Sequence, residues 1–436
     1  MKMSVQSFAV LGAMFCLICC GMAKAQESQP TVQSLYKQIQ SLTDEVRELR
    51  ATQNQTWLSE RRAEEAKILV KDVLNDANTR ASMMENSMTA GYHNGFFLAS
   101  EDGNFKLRIL GMIEARYVHA SRENSGGDND EGGFDICRTR FGFKGHILNP
   151  QTQFFIWTGH SATGSYIPLD VWIKRDLGDG WAVQAGAFKV QFFKEWLISE
   201  TSLQMIERSP LTSVFGGSYT EGINLLYGDD RFKAVVSLND GLNQRVSNFT
   251  AEDAEAVALT TRVDYLLTGS WNQAKDTEAW TDEPTMIAIG GALHYEVGEY
   301  GTTTDEARTL QWTADIQAEF GGWNIFAAVV GNQIDDTTTK LNQLGVLIQA
   351  GMFLTPDFEL TSSYAWGDSD IAGEEEMQIL SIGFNKFFNR HALKLSGDLG
   401  YSLNAIPSTF AKQGWQVDNV DEDGQILARA QLQLLF

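Results

Sequence analysis

Gln425-Ile426-Leu427-Ala428-Arg429-Ala430-Gln431-Leu432-Gln433-Leu434-Leu435-Phe436 closes the chain, and every even position from Ile426 to Phe436 is apolar. The odd positions include Arg429, Gln431 and Gln433. A period of two describes a strand with one apolar and one polar face. In a soluble sheet such a terminal strand would leave an open edge, whereas a strand that seals a membrane barrel has none. Its length, apolar outer face and terminal aromatic meet the requirements of an outer-membrane strand. The rest of the chain must then supply its partners.

Phe105 to His119 alternates in the same way, with Phe105, Leu107, Ile109, Ile113 and Tyr117 on one face and Lys106, Arg108, Glu114 and Arg116 on the other. Phe134 to Ile147 sets Thr139, Phe141, Phe143 and Ile147 against Arg138, Arg140, Lys144 and His146. Further strands are read near 151–159, 168–175, 181–190, 222–228, 231–239, 256–266, 286–297, 308–320, 322–331, 343–354, 358–366, 376–387 and 391–402. With the C-terminal strand the expected fold is an all-β transmembrane barrel of about sixteen antiparallel strands over 105–436. An even number returns both barrel ends to one side of the membrane.

The connectors alternate between long and short. Ala120–Gly133 is long, Leu148–Pro150 short, and Gln191–Glu221 the longest, while Asp229-Asp230, Gly321, Thr355-Pro356-Asp357 and Phe388-Asn389-Arg390 are tight turns. One connector breaks the alternation. Leu267–Thr285 is long where a short one is due, which makes it either an embellished turn or an unrecognised strand pair.

Ahead of the barrel the chain changes character. Met1-Lys2, an apolar run from Phe8 to Met22 and Ala23-Lys24-Ala25 form a secretory signal peptide over 1–25. Three of the four cysteines lie within it, which leaves Cys137 without an intramolecular disulfide partner. A lipoprotein signal at Cys19 or Cys20 is the rival reading, and neither cysteine follows a small residue. From Leu35 to Met88 one heptad frame runs unbroken, with Leu35, Leu42, Leu49 and Val70 among its d positions and Ile39, Val46 and Leu74 among its a positions. That spacing predicts an α-helical coiled coil over 26–88 in the periplasm, and hence a homo-oligomer. β-branched residues at a with leucine at d favour two strands. Residues 89–104 are glycine-bearing and read as a linker.

The net charge of −22 lies wholly beyond residue 90, since residues 1–90 hold ten basic and ten acidic side chains. An acidic domain without a basic patch excludes nucleic acid as a partner. His294 and Glu296 share a strand face, but two ligands make no metal site. Gly159-His160-Ser161 places neighbours that point apart and offers no nucleophile–base pair. Asn419–Gly424 imitates half of a calcium loop, yet Ala430 stands where a bidentate glutamate belongs. No catalytic residue, cofactor or metal ligand is assigned.

Permeation needs only pore width and lining charge. Inward-facing Lys106, Arg108, Arg116, Arg138, Arg140, Lys144 and Lys174 form a basic wall on the first four strands, joined by Arg429 on the last. Asp264, Glu296, Asp315, Glu319, Glu359 and Asp398 form an acidic wall opposite. Lys194, Glu195 and Arg208 lie in the longest connector and are the expected constriction residues.

At this point the chain resembles the phosphate-selective porin O and P family. The resemblance rests on Arg138-Thr139-Arg140-Phe141-Gly142-Phe143-Lys144-Gly145, Gly186-Ala187-Phe188-Lys189-Val190-Gln191-Phe192, Glu207-Arg208, Asn239-Asp240-Gly241 and the final Phe436. Gln191 stands where that family usually carries proline. The resemblance implies a trimeric outer-membrane barrel of sixteen strands, whose third long loop folds inward to narrow a pore for anions such as phosphate. The expected partners are outer-membrane lipid, further copies of the chain, small ions or solutes, and peptidoglycan through the coil. A structural tether between outer membrane and cell wall is the alternative role.

Overall fold

The computed structural model describes residues 32–53, 71, 88–92, 95–122, 129–160, 166–242, 257–299, 306–335, 340–419 and 424–436. The chain divides into two units, Met1–Ser87 and Met88–Phe436. In the first unit α1 (Val32–Gln53) carries Ile39, Leu42 and Val46 exposed at heptad positions a and d. The expected signal peptide, and all of the expected coil between Gln53 and Met88 except Lys71, lie outside the described residues.

The second unit begins with a hairpin, β1 (Met88–Tyr92) and β2 (Phe96–Ser100), where the sequence was expected to be an irregular linker. Sixteen strands follow, β3 (Lys106–Arg122), β4 (Asn129–His146), β5 (Thr152–His160), β6 (Tyr166–Gly178), β7 (Trp181–Lys189), β8 (Tyr219–Gly228), β9 (Phe232–Asn239), β10 (Val257–Thr268), β11 (Met286–Glu299), β12 (Glu306–Glu319), β13 (Trp323–Asp335), β14 (Lys340–Thr355), β15 (Phe358–Asp368), β16 (Met377–Asn389), β17 (Leu393–Ser402) and β18 (Ile426–Leu435). Each pairs antiparallel with its neighbour in the chain, and β18 pairs with β3 to close the barrel.

The closing seam is explicit. Arg429 lies opposite Val118 and Leu434 opposite Ile113. Phe436 exchanges backbone hydrogen bonds with Gly111 at 2.8 and 3.1 Å, and a Cβ at Gly111 would collide with its ring. Below that point β2 takes the edge of β3 that β18 leaves, pairing Ala99 with Lys106 and Phe96 with Ile109.

Alternation along the strands turns one side-chain row outward. Leu225, Leu238, Val263, Leu293, Ile316, Leu360, Ile382 and Leu432 are all exposed on separate strands. A belt of that extent in water would be an aggregation surface, and in lipid it is the required outer face. Aromatic pairs mark the end that carries the short turns, with Phe320 stacked on Trp323 at 4.1 Å and Trp181 against Tyr227 at 4.9 Å. Such rings suit the lipid headgroup level. A bulge at Cys137 in β4 shifts the register between Glu114 and Ala115, so Phe134 and Ile136 point outward at even positions and Phe141 at an odd one.

Among the described residues, connectors fold into the barrel from both ends. Residues 190–218 carry α2 (Lys194–Leu197), a 3₁₀ turn at Glu200–Ser202 and α3 (Pro210–Phe215). Their Phe192, Phe193, Leu211 and Phe215 are fully buried with Phe326, Val330, Leu347 and Ile379 of the wall, and with Ile406, Phe410 and Trp415 of the connector before β18. Residues 269–285 enter from the turn end. They form an embellished turn rather than a strand pair, with Trp280 buried against Phe353 at 5.1 Å and Phe387 at 4.8 Å.

Candidate permeation pathway

Strand alternation aims Arg116, Arg138 and Arg140 into the barrel, where the 190–218 loop presents carboxylates to them. Arg116 Nη1 donates to Glu207 Oε1 at 2.6 Å and its Nε to Asp135 at 2.8 Å. Arg138 donates to Glu114 Oε2 at 2.8 Å and to Glu207. Arg140 Nε donates to Glu200 Oε1 at 2.8 Å, and Trp157 Nε1 reaches the same oxygen at 3.1 Å. Burial alone would raise the Glu200 and Glu207 carboxyls, yet Arg140 and Arg138, with Arg429 and Arg116, hold both at about 2. These arginines therefore anchor the loop as ionised pairs.

Further residues of the same loop are held by β13 and by β15 to β18. Gln204 Nε2 donates to Glu359 Oε1 at 2.7 Å and to Asn324 Oδ1 at 3.1 Å, and Asn385 Nδ2 donates to the Gln204 carbonyl at 2.8 Å. Lys394 Nζ donates to the Leu203 carbonyl at 2.6 Å, and Gln433 Nε2 to that of Thr201 at 2.9 Å. Gly351 makes the docking possible, because a Cβ there would collide with Gln204 Nε2 and Glu359 Oε1. The loop thus bridges the lumen, fixed on both sides.

The expected constriction residues brace this loop from within. Glu195 is buried and accepts from Ser209 N at 3.0 Å, from Thr212 Oγ1 and from Gln349 Nε2 at 2.9 Å. Arg208 is buried, stacks over Trp196 at 4.9 Å and donates to the carbonyls of Glu195 and Ile198. Lys194 Nζ donates to the Ala274 carbonyl at 3.2 Å, which ties the loop to the turn-end connector. Arg429 on β18 is paired with Asp398 at 2.7 and 2.8 Å.

Lys106, Arg108, Lys144 and Lys174 sit lower, near the turn end. Lys106 lies over the Phe97 ring at 5.3 Å and Lys144 over Phe155 at 5.9 Å. Arg108, Lys174 and Lys275 all lie within electrostatic reach of Lys144. Among the described residues Lys106, Lys144 and Lys174 form no salt bridge. A cavity of about 600 Å³ beside them is lined by Lys144, Phe155, Trp157, Lys189, Tyr219 and His391. The structure separates the expected basic wall into a paired arginine cluster at the loop and a lysine-rich group below it.

Sequence reading missed Arg262. Its side chain is buried and donates to Asp315 at 2.9 Å, to Asp264 and to the Phe192 carbonyl at 2.8 Å, so two expected acidic lining residues are neutralised by it. Alternation on β10 placed Arg262 and Asp264 on one face, and that was the available signal. His294 and Glu296 pair with each other at 3.0 Å. Residues 420–423 of the acidic calcium-like stretch lie outside the described residues.

No family model and no curated protein matches the chain. Solved structures match it in architecture. The anion-selective porin from Comamonas acidovorans superposes with a TM-score of 0.55 at 12% identity, over 76% of this chain and 100% of that one. The fold is that of an outer-membrane porin. The trimer form of OmpT, an outer membrane protein of Vibrio cholerae, gives 0.53 at 10% identity over 76% of this chain and 99% of that one. The outer membrane channel DcaP of Acinetobacter baumannii gives 0.50 at 13% identity over 79% and 100%. At such identities the likeness is one of fold.

Proposed function

We propose that the protein is a passive diffusion channel of the outer membrane for small hydrophilic solutes. The observation that carries this reading is a closed barrel with an apolar outer belt, crossed by an inward loop that charged wall residues hold on both sides. Flux through such a lumen needs no catalytic group, and discrimination follows from width and lining charge. We assign that discrimination to Lys106, Lys144 and Lys174 rather than to the arginines of the loop cluster, whose charge is matched by Glu114, Glu200 and Glu207. A lysine-rich lower lumen favours small anions, phosphate included. Liposome swelling tests the reading. Reconstituted protein should admit monosaccharides faster than protein-free vesicles do, and swelling at the protein-free rate would overturn it.

A tethering role through the N-terminal segment is the second reading. It is favoured by Ile39, Leu42 and Val46, an exposed apolar row that an oligomeric coil would cover. In this reading the copies form a trimer and the coil extends through the periplasm to peptidoglycan. Removing residues 26–87 should leave conductance intact and abolish sedimentation with purified cell wall. Sedimentation that survives the deletion would contradict the tether.

A further inference from the structure

The turn-end connector 269–285 carries chemistry that permeation does not use. Asp276 and Glu278 reach the turn between β16 and β17, and one oxygen from each meets His391. His391 Nε2 is 3.2 Å from Asp276 Oδ2 and 3.7 Å from Glu278 Oε2, and a ligand atom from each residue lies within 4.8 Å of the other two. Nitrogen and carboxylate oxygen ligands bound at about 2.0–2.2 Å to a tetrahedral zinc ion stand about 3.3–3.6 Å apart. The 3.2 and 3.7 Å separations at His391 Nε2 bracket that spacing.

Glu278 points to a missing partner. Its side chain is fully buried, its Oε1 has no hydrogen-bond partner among the described residues, and no lysine or arginine there forms an ion pair with Glu278 or Asp276. The nearby cations are engaged elsewhere, Arg390 with Asp282 and Glu283, and Lys394 with the Leu203 carbonyl. A buried carboxylate without a counter-charge is costly, and a bound cation removes that cost. Trp280 closes one side, edge-on to His391 at 5.7 Å. A second cavity of about 530 Å³, lined by Asp276, Trp280, Glu283 and Arg390, offers a route in.

We propose that Asp276, Glu278 and His391 bind a divalent cation of the zinc class, which pins the inward-folded connector 269–285 to the turn between β16 and β17. The mixed imidazole and carboxylate set suits such an ion and is too poor in oxygen for calcium. The site is read from its ligands alone, so its failure and that of the channel reading are separate results.

The test uses the full chain, purified without a histidine tag, stripped with chelator and titrated with Zn²⁺ against a chromophoric chelator. Wild type should take up one equivalent, and Glu278→Gln and His391→Gln should each weaken binding at least tenfold while keeping the heat-modifiable mobility of a folded barrel. Where a variant fails to fold, Co²⁺ added to wild type decides, since a site with imidazole and carboxylate ligands gives visible d–d absorption that one equivalent of Zn²⁺ abolishes. Absence of stoichiometric binding by wild type, undiminished binding by both folded variants, or no Zn²⁺-sensitive Co²⁺ absorption would each overturn the proposal.

Discussion

Gly351 and Arg138 act on the inner loop from separate strands, and each makes a claim that one substitution can test. At Gly351 any side chain occupies the space that Gln204 uses to reach Glu359 and Asn324. Gly351→Leu should release Gln204 and forfeit about 1–3 kcal/mol of hydrogen bonding to charged and polar partners. Single-channel current should rise, and an unchanged current would mean that the Gln204 anchor does not position the loop. Arg138→Met leaves Glu114 and Glu207 buried without their main counter-charge, a change that costs about 3–5 kcal/mol. Thermal loss of heat-modifiable mobility should come at lower temperature than in Arg140→Met, which removes one carboxylate partner rather than several. The facing of Arg138 was legible in the sequence, because period two fixes which side of the wall a residue takes. Its partner was not, because Glu207 lies in a segment with no period and 69 residues away.

The 190–218 loop and the 269–285 connector are the elements that distinguish this lumen, and they were legible to different degrees. The family resemblance, with its length and its place as the third long connector, marked the first as the inward one. Its internal structure was hidden, so the hydrogen bonds by which Lys194, Glu195 and Arg208 brace the loop were not foreseen. Nothing in the composition of the second told inward from outward, since Ala274, Ala279 and Trp280, its buried apolar residues, fall on no repeat. The loop anchor has a definite pH dependence. Because the folded-state values of Glu200 and Glu207 lie at about 2, below the ordinary ~4.3 of a glutamate, their contribution is complete above that ordinary value. It is lost as pH falls toward 2. Trp157, hydrogen-bonded to Glu200, is the reporter, and acrylamide quenching difference spectra of wild type against Trp157→Phe should stay flat from pH 7 to about 5 and steepen below it. A transition centred at neutral pH would contradict the ion-pair anchor.

For the whole molecule, the barrel was legible almost strand for strand because alternation and turn chemistry agree along its length. The exceptions have physical causes. The β1–β2 hairpin is short and glycine-bearing, and it exists because β18 leaves the lower edge of β3 open. Closure rests on Phe436, so its removal should slow or prevent folding into lipid, read as loss of the heat-modifiable form, while Gly111→Val should act alike by excluding the ring. Normal folding of both variants would show that the seam closes without the terminal aromatic.

If the barrel passes small solutes by diffusion and its lower lysines set the preference, current through purified protein in planar bilayers under a KCl gradient should show steady ohmic conductance with a reversal potential on the chloride side, moved toward zero by Lys144→Glu with Lys174→Glu and little changed by Arg140→Gln. No conductance above the bare membrane would contradict the channel, and cation preference in wild type would contradict the assignment of the lysines.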